Sequence, residues 1–494
     1  MRHFAIAFAT LSLALTLACS PASEVSRGAH ETARAATQAV SGTTLTTSDT
    51  TLAAIWTWAR ETSNGYVGAD TDPVGPWYEA ALPKREAFCV RDVSHQSIGA
   101  EILGQARQNL NMFRRFVENI SESRDYCTYW EINRHNKPAP VDYASDDDFW
   151  YNLNANFDII DASYKLYQWT GNRTYIEDPA FDLFFRLTLK EYIERWQLQP
   201  DRIMQRAAFP NLRPGTVKYR KARGIPSYDE QQDSLVLGSD LLGMIQNGFA
   251  TYARILAARG DSAAGIAYLA QAARYKRLLD ERWWDDRTQL YHGFLSANGS
   301  FTPGAASGSE FLLWYGVVSD PERIRRALAA LRNSQVEVLS YLPMLFYRYG
   351  EDSSAYDFLQ RIHADPRRDY PEASSGAVEG IVRGLLGVEP SARDGRVATH
   401  PHLTPATTWV SADSIPTFAG PVSVRHDGLT STTFTVQGTR PVTWRATFPG
   451  HARELVVDGR RVPATAGTDA VGHALVWADI EVAPGRVVRA TTAP

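Results

Sequence analysis

Residues 77 to 104 read W-Y-E-A-A-L-P-K-R-E-A-F-C-V-R-D-V-S-H-Q-S-I-G-A-E-I-L-G. Near the centre of this stretch lies the charged pair Arg91-Asp92, which follows an apolar run and precedes apolar residues at the spacing of a buried helix. The pattern places the pair where a helix begins, at the edge of a core. Because a charge in such a position is costly unless it is paired or binds something, the pair is either an internal ion pair or part of a binding site.

The residues around the pair favour a site that binds a sugar. A sugar ring presents apolar C–H faces, which pack on aromatic side chains, and hydroxyl groups, which bind charged and amide groups. The stretch supplies both kinds of side chain: Trp77, Tyr78, Glu79, Arg85, Glu86, His95 and Gln96. We therefore expect substrate contacts from Trp77, Arg91, Asp92, His95 and Gln96.

The segment F-C-V-R-D-V, residues 88–93, resembles the aromatic-x-x-Arg-Asp-Ala segment of glucoamylases and other six-hairpin, (α/α)6-barrel glycosidases. This resemblance implies that Arg91 and Asp92 hold hydroxyl groups of the terminal sugar, next to the bond that is cleaved. The longer block over residues 77–96 looks most like a branch of the superfamily that includes glycoside hydrolase family 154, whose known activity is β-glucuronidase. The second resemblance implies a uronic acid as the terminal sugar.

The length and composition suit a large protein with more than one domain. With 494 residues, 44% of them hydrophobic, the chain has material for a large core and more than one domain. The formal net charge of −4 gives no electrostatic reason to expect nucleic acid as a partner. Aromatic residues make up 11% of the chain, which suits helix packing and also the stacking of sugars.

The first 20 residues are typical of an export signal. A basic start precedes an apolar run over residues 4–18, which is too short and wrongly flanked for a membrane span. The run ends in Leu17-Ala18-Cys19, close to a bacterial lipoprotein box, so the sequence leaves open simple cleavage or lipidation of Cys19. It predicts an exported protein that is periplasmic or lipid-anchored to the outer membrane.

Residues 21–47 are rich in Ala, Ser and Thr, and we expect them to form a flexible linker. Two cysteines remain beyond the signal, Cys89 and Cys127. In an exported protein these two form either one disulfide or two buried free thiols, and the sequence leaves both alternatives open.

Residues 48–403 carry one helical stripe after another. The predicted helices cover residues 51–60, 98–121, 152–170, 182–196, 235–259, 263–284, 321–330, 341–349, 353–363 and 377–386. Paired helices without convincing alternating strands predict an α/α toroid, and the absence of a strict repeat argues against a tetratricopeptide-type solenoid. The resemblance to six-hairpin glycosidases implies twelve helices in an (α/α)6 barrel.

After residue 403 short alternating runs appear, at residues 421–425, 432–436, 442–446, 454–457, 474–480 and 487–490. Asp427-Gly428 and Asp458-Gly459 are strong hairpin turns, so we expect a small C-terminal β-sandwich over residues 404–494. The segment G-L-L-G-V-E-P, residues 384–390, also resembles the helix-to-sandwich junction of six-hairpin glycosidases such as the α-rhamnosidases. The predicted fold is therefore mainly α, an (α/α)6 toroid followed by a β-sandwich.

The chemistry that the sequence offers is that of carboxyl groups. No metal or cofactor signature is present, and the Gly-x-Ser-x-Gly motif of α/β-hydrolase esterases is absent. Glycoside hydrolysis needs two carboxyl groups, and three loop clusters offer them. In the first, S-D-D-D-F-W-Y-N over residues 145–152, one aspartate is expected to cap a helix. We expect Asp148, or in its place Asp147, to contact the substrate together with Trp150 and Asn152.

The second cluster is S-Y-D-E-Q-Q-D-S over residues 227–234. Helix capping by Asp229 or Asp233 is one explanation of this cluster, but Glu230 lies between a tyrosine and two glutamines. Apolar surroundings would raise its pKa, as a general acid requires, and we expect Tyr228 and Asp229 to contact the substrate. The basic run over residues 218–223 either binds a uronic acid carboxylate or is a solvated loop.

The third cluster, residues 370–380, contains two glutamates. In related barrels the base or a sugar-binding carboxylate precedes the last inner helix, and the resemblance places Glu372 there. Glu379 either contacts the substrate or pairs with Arg383 four residues later.

Together these features predict an exo-acting glycoside hydrolase. Glu230 would protonate the leaving oxygen while Glu372 activates water, with the inversion of most of the superfamily. One alternative is a polysaccharide lyase on a similar toroid, which would use groups such as His95, Tyr143 and Tyr228. The other is a non-catalytic glycan-binding lipoprotein.

Overall fold

The computed structural model describes residues 42–207, 223–229, 235–302, 306–334 and 340–492. The export signal with Cys19, most of the predicted linker, the basic residues Lys218, Arg220 and Lys221, and the predicted acid Glu230 lie outside the described residues. Within the described residues, no helix is both long enough and apolar enough to cross a membrane.

The N-terminal part of the described chain is mainly helical. Its α-helices are α1 (Thr50–Gly65), α2 (Val90–Ile102), α3 (Ala106–Glu118), α4 (Ala155–Thr170), α5 (Thr174–Glu177), α6 (Pro179–Leu187), α7 (Ile193–Arg195), α8 (Ser239–Ala258), α9 (Ser262–Arg282), α10 (Ala306–Trp314), α11 (Pro321–Leu331), α12 (Leu342–Arg348), α13 (Asp352–Ala364) and α14 (Pro371–Glu379). Thr188–Tyr192 and Gly380–Leu385 continue α6 and α14 as π-helical segments, and Glu122–Arg124 and Ile203–Gln205 are 3-10 turns.

Six of these helices contact one another in cyclic order, α2, α4, α8, α10, α12 and α14, and α14 contacts α2 again. Other helices pack outside this inner ring: α1 on α14, α3 on α2, α9 on α8, α11 on α10 and α13 on α12. Helix α3 shows why the outer helices lie there. Its buried residues Asn109, Met112, Phe113, Phe116 and Val117 follow the spacing of one helical face, and the other face is charged.

The inner helices approach closely where glycine replaces a side chain. A Cβ atom at Gly99 of α2 would lie 2.4 Å from the backbone carbonyl oxygen of Ser375 in α14. A Cβ atom at Gly376 would lie 2.5 Å from the backbone carbonyl oxygen of Ser340, which precedes α12. The backbone of α14 therefore lies close to α2 on one side and to the start of α12 on the other.

The structure corrects several predicted helices. The helix expected over 98–121 is two helices, α2 and α3, because Gly104 adopts a φ of +83° between them. The helix expected over 235–259 begins only at Ser239, since Leu235–Gly238 is a strand. Helix α10 was not predicted, because its sequence, A-S-G-S-E-F-L-L-W, has small and polar residues followed by an apolar run and so lacks a helical stripe.

The helical part also contains short strands, which the sequence prediction did not include. Among these strands are β2 (Ala87–Cys89), β3 (Glu131–Asn133), β4 (Tyr143–Ser145), β5 (Asp148–Phe149), β6 (Tyr151–Asn152), β7 (Arg223–Ile225), β8 (Leu235–Gly238), β9 (Trp284–Asp285), β10 (Leu290–Tyr291), β11 (Phe294–Ser296) and β12 (Phe301–Thr302). Three of them, β2, β6 and β8, lie just before inner helices. β2 pairs with β3, β6 with β7, and β8 with β11. Because β2 and β8 run directly into α2 and α8, this pairing fixes where those helices begin.

The C-terminal part is β-rich, as predicted. Its strands are β13 (Glu389–Ser391), β14 (Arg396–Thr399), β15 (Trp409–Ile415), β16 (Val422–Asp427), β17 (Ser431–Val436), β18 (Val442–Pro449), β19 (Glu454–Val457), β20 (Arg460–Pro463), β21 (Thr465–Thr468), β22 (Ala474–Val482) and β23 (Val487–Thr492). A seven-stranded sheet has the order β1-β15-β16-β17-β23-β19-β20, where β1 is Thr44–Thr47, and a five-stranded sheet has the order β13-β14-β18-β22-β21. Buried and half-buried residues alternate along β16 and β18, and the ring of Phe434 stacks on that of Trp444 across the two sheets at 5.1 Å.

Two predicted boundaries differ from the structure. Residues 44–47, expected in the linker, pair as β1 with β15 of the seven-stranded sheet. Residues 389–399, expected in the helical domain, form β13 and β14 of the other sheet. The predicted hairpin at Asp458-Gly459 is confirmed, because both residues have positive φ and Val457 pairs with Arg460.

Both cysteines of the described chain are buried free thiols. Of the two alternatives that the sequence left open, the structure therefore has free Cys89 and Cys127. Burial raises the pKa of both thiols well above the usual range, so both are protonated and unreactive at neutral pH.

Candidate active site

Titratable side chains cluster at the N-terminal ends of the inner helices. Each of the six inner helices has one buried titratable side chain in its first turns or directly before its first residue. These side chains are Asp92, Asp158, Asp240, Glu310, Tyr341 and Glu372. An acidic residue in the first turn favours any helix through the helix dipole. Here the side chains also interact across helices, so the helix ends meet at one site.

The Arg91-Asp92 pair lies at the edge of the core, as predicted from the sequence. The Arg91 Nε donates to Asp92 Oδ1 at 3.0 Å, with 23% of the arginine side chain exposed and the aspartate buried. The guanidinium lies 5.9 Å from the ring centre of Trp130 and 5.5 Å from that of Tyr228. These cation–π contacts hold a charged fork beside two aromatic faces, which suits a sugar.

Asp158 of α4 connects three site residues. Its Oδ1 lies 3.3 Å from His95 Nε2 of α2, and the hydroxyl groups of Tyr228 and Tyr315 donate to its two oxygens. All four side chains are buried. The carboxylate therefore fixes the orientation of His95 and Tyr228 at the centre of the ring.

Glu310, Tyr341 and Glu372 form the acidic side of the site. The Tyr341 hydroxyl donates to Glu310 Oε1 at 3.0 Å. Burial raises the pKa of Glu310 to about 8, the charges of Asp240 and Asp229 act in the same direction, and the Tyr341 hydrogen bond opposes them. Burial also raises the pKa of Tyr341 well above its usual range, and the charges of Glu310 and Glu372 add to that effect.

Asp240 holds the loop that carries Tyr228. Its Oδ2 accepts hydrogen bonds from Asn154 Nδ2 at 3.0 Å, Ser227 Oγ at 3.1 Å and the Tyr228 backbone N–H at 2.7 Å. Burial raises the pKa of Asp240 to about 6, against the effect of these bonds. The carboxyl group is thus a structural acceptor that places Tyr228 over Arg91.

Aromatic rings surround His95. The ring centres of Tyr341, Phe311, Trp314 and Tyr228 lie 5.6, 5.9, 6.1 and 6.3 Å from that of His95. The site therefore combines an aromatic wall with several carboxyl groups and one guanidinium. This is the combination of apolar faces and hydrogen-bonding groups that a sugar ring matches.

Comparison with solved structures identifies proteins of similar fold. An α-L-rhamnosidase from Dictyoglumus thermophilum aligns with 92% of this chain and 50% of its own, with 14% identity and a TM-score of 0.59. A GH78 family rhamnosidase of Bacillus sp. GL1 aligns with 81% of this chain and 41% of its own, with 14% identity and a TM-score of 0.56. A human-microbiome protein assigned as a kojibiose phosphorylase aligns with 94% of this chain and 68% of its own, with 9% identity and a TM-score of 0.54.

The chain is similar in fold to these two rhamnosidases and to the phosphorylase-like protein. It spans about half the length of the rhamnosidases that it resembles, 50% and 41%. At identities of 9–14% the likeness concerns the fold alone. No family model and no curated protein sequence matches the chain.

The structure places the other predicted contact residues as follows. Gln96 is buried beside His95, and neither its side-chain oxygen nor its nitrogen has a hydrogen-bond partner among the described residues. Because an unpaired buried amide is costly, a ligand is a natural partner for it. Asp148 is half-buried in β5, and Asp229 is half-buried directly after Tyr228.

Three predicted contact residues make hydrogen bonds within the protein. The Trp77 indole donates to Asp72 at 2.7 Å. The Trp150 indole donates to Asn152 at 3.0 Å, and the Asn152 amide donates to the Ser227 carbonyl. These bonds brace the loops around the site, and the buried position of all three side chains suits that bracing.

Glu379 forms an ion pair with Arg383 at 2.9 Å, which is the helical pair that the sequence offered as its alternative role. Arg383 also binds Glu389 at 2.7 Å. From the basic run, Arg223 binds Asp125 at 3.0 Å and lies over Phe149. These charges are neutralised within the protein.

The sequence patterns did not predict Asp158, Asp240 and Glu310 as site residues. Asp158 and Asp240 have the signal of an acid at a helix start, which also occurs at helices without function. Glu310 has no such signal, since its helix was not predicted. No group of three or more His, Cys, Asp and Glu side chains in the described ranges is arranged to hold a metal ion.

Proposed function

We propose that the protein is an exported, exo-acting glycoside hydrolase that removes a terminal sugar from an oligosaccharide or polysaccharide on an (α/α)6 toroid. The observation that carries this proposal is the meeting of Glu310, Tyr341 and Glu372 with the Arg91-Asp92 pair. All of them lie at the N-terminal ends of the inner helices, and the charges of Glu372 and Arg91 both act on Tyr341.

In the proposed reaction Glu372 is the base. It takes a proton from a water molecule, whose oxygen attacks the anomeric carbon as the bond to the leaving oxygen breaks. The proton that the leaving oxygen needs comes from a carboxylic acid, for which the sequence predicts Glu230. Direct attack by water inverts the configuration of the anomeric carbon. Arg91 and Asp92 hold the terminal sugar through its hydroxyl groups.

The terminal sugar that we propose is a uronic acid, as in the β-glucuronidases of glycoside hydrolase family 154. The support for it is the sequence block over residues 77–96 together with the guanidinium of Arg91, which can bind a carboxylate in two-point geometry. A rhamnoside is the second substrate to test, because the rhamnosidases share the fold.

A lyase mechanism is less well supported. It would need a tyrosine that loses its proton near neutral pH, but burial raises the pKa of Tyr228 well above 10, and the charge of Asp158 adds to this. Tyr143 donates its hydroxyl to Asp146, outside the group around Asp158. A non-catalytic glycan-binding protein remains the third class, and the experiment below separates the three.

The test is a screen of 4-nitrophenyl glycosides, including the β-glucuronide and the α-L-rhamnoside, with purified protein. Release of nitrophenolate supports a hydrolase, and proton NMR of the first product reports inversion or retention. A product that absorbs near 235 nm, formed from a uronate polysaccharide, would instead indicate a lyase. Binding of the polysaccharide without any product would indicate a non-catalytic glycan-binding protein.

A Glu372→Gln variant should lose most activity on every substrate, because removing a base slows attack whatever the leaving group. A suitable control is Glu101→Gln. Glu101 is another buried glutamate, and it accepts a hydrogen bond from Asn109 at 2.8 Å near the C-terminal end of α2. Near-normal rates in Glu372→Gln would exclude it as the base.

We also propose that the protein is periplasmic or anchored to the outer membrane through a lipid on Cys19. The support is the sequence of the first 20 residues. Cell fractionation tests it, since Cys19→Ala should move a lipid-anchored protein from the membrane fraction to the soluble fraction. An unchanged membrane fraction would contradict lipidation.

A further inference from the structure

Glu310 differs from the carboxyl groups that the sequence singled out. It lies in α10, 1% exposed, and accepts one hydrogen bond from a neutral hydroxyl group, that of Tyr341, on Oε1. Its second oxygen, Oε2, is buried and has no hydrogen-bond partner among the described residues. A buried acceptor without a partner is costly, whereas an O–H at this position can donate to a ligand.

The surroundings of Glu310 favour its protonated form. The titratable groups that act on it are Tyr341 before α12, Asp240 of α8 and Asp229 of the loop before it. Burial and the two aspartates raise its pKa to about 8, against the hydrogen bond from Tyr341. The protonated form of Glu310 therefore predominates at neutral pH.

Tyr341 connects Glu310 to the reacting groups. Its hydroxyl touches Glu310 directly, and the charges of Glu372 and Arg91 both act on it. Its ring centre lies 5.6 Å from that of His95 and 4.7 Å from that of Trp314. Glu310 is thus one side chain away from the proposed base and from the proposed sugar-holding pair.

We infer that Glu310 is the proton donor for the leaving oxygen of the glycoside, in place of Glu230. This inference rests on the proposed hydrolase function. The Oε2–H proton goes to the glycosidic oxygen, and the bond from that oxygen to the anomeric carbon breaks with its electron pair on the oxygen. Water attacks the anomeric carbon and gives its proton to Glu372. Exchange with solvent then returns a proton to Glu310 and removes one from Glu372, so one water is consumed for each bond cleaved.

Other buried glutamates fit this role less well. Glu101 accepts from the Asn109 amide at the opposite end of α2. Glu131, whose pKa burial raises to about 8, forms an ion pair with Arg85. A guanidinium beside a carboxyl group stabilises its ionised form, whereas Tyr341 offers Glu310 only a neutral hydroxyl.

The experiment compares two glycosides of the sugar that the screen identifies, a 2,4-dinitrophenyl and a phenyl glycoside. The dinitrophenyl group leaves without a proton donor, and the phenyl group needs one. Glu310→Gln should lower kcat/KM about 10²- to 10⁴-fold on the phenyl glycoside and less than about 10-fold on the dinitrophenyl glycoside. Glu101→Gln should leave both values near those of the wild type.

The pH profile gives a second measurement that does not depend on an inactive variant. For the wild type, kcat/KM should fall on the alkaline side near pH 8, as Glu310 loses its proton. Tyr341→Phe removes the hydrogen bond that lowers the pKa of Glu310, so this variant should keep an alkaline limb that lies at higher pH. Glu131 is the control, because burial raises its pKa to about 8 as well. Glu131→Gln should leave the alkaline fall of kcat/KM at the same pH as in the wild type.

Three outcomes would overturn the inference. The first is an equal loss of kcat/KM on both glycosides in Glu310→Gln. The others are an alkaline fall of kcat/KM that Tyr341→Phe does not shift, or one that Glu131→Gln removes. If Glu310→Gln fails to fold, the Tyr341→Phe profile decides. Failure of the proposed function looks different, because the wild type would then release no phenol from any glycoside.

Discussion

Replacing Gly99 by alanine tests whether the close approach of two inner helices holds the site together. The added Cβ would lie 2.4 Å from the Ser375 carbonyl oxygen, while ordinary contacts begin at 3.4 Å, so the two backbones must separate by 1.0 Å, the difference of these distances. Overpacking of this kind costs about 1–3 kcal/mol. Alanine returns about 1 kcal/mol through its helix propensity. We therefore expect a net loss of up to about 2 kcal/mol in the free energy of unfolding.

The same shift should lower activity. Asp92 and His95 lie on the helix of Gly99, and Glu372 lies on the helix of Ser375. A displacement of about 1 Å between reacting groups can reduce the rate about 10²-fold. Thermal unfolding by circular dichroism and kcat/KM on an aryl glycoside measure the two effects.

The control is Gly65→Ala at the end of α1, where an added Cβ meets nothing within 4 Å. This variant should melt at or slightly above the wild-type temperature and keep full activity. If Gly99→Ala is as stable and as active as Gly65→Ala, the inner ring tolerates separation at this contact and the close approach does not hold the site together.

Three further predictions concern the sugar-holding pair, the pH dependence of stability and the cysteines. Arg91→Lys should keep the melting temperature and raise KM about 10-fold or more, since lysine lacks the planar fork; a sharp loss of stability with normal activity of the folded fraction would make the pair structural. Burial lowers the pKa of His426 from 6.5 to about 4, so the native state binds fewer protons than the unfolded chain. The free energy of unfolding should then fall by about 3 kcal/mol between pH 6.5 and pH 4. His426→Asn should flatten this slope in denaturant titrations, exposed His473→Asn should not, and equal slopes in all three proteins would contradict the assignment. Finally, reductant should leave the melting temperature unchanged and a thiol reagent should reach Cys89 and Cys127 only in denaturant, whereas reaction in the native state would contradict their burial.

Much of the fold follows from local patterns in the sequence. Helices α1, α11 and α13 each bury apolar residues along one face, and this periodicity predicts them. The hairpin at Asp458-Gly459 follows from a turn that needs positive φ at both residues. The place of Arg91 and Asp92 at the start of a helix follows from the apolar runs on either side of them.

The tertiary structure alone decides which carboxyl groups belong to the site. An aspartate in the first turn of a helix, such as Asp158 or Asp240, is favourable at any helix, so the sequence cannot separate a cap from a site residue. The closed ring of inner helices distinguishes the two roles, because it brings the helix ends together. There Asp158 contacts His95 and Tyr228, which lie on other segments of the chain.

The proton affinity of Glu310 shows the same limit most clearly. The neighbours that set its pKa, Tyr341, Asp240 and Asp229, are all distant from it in the chain. Desolvation depends on everything that packs around the carboxyl group, and charge effects depend on distance in space. The sequence thus determined most of the long helices and the C-terminal strands, and only the packed ring decided which acidic residues can hold a proton at neutral pH.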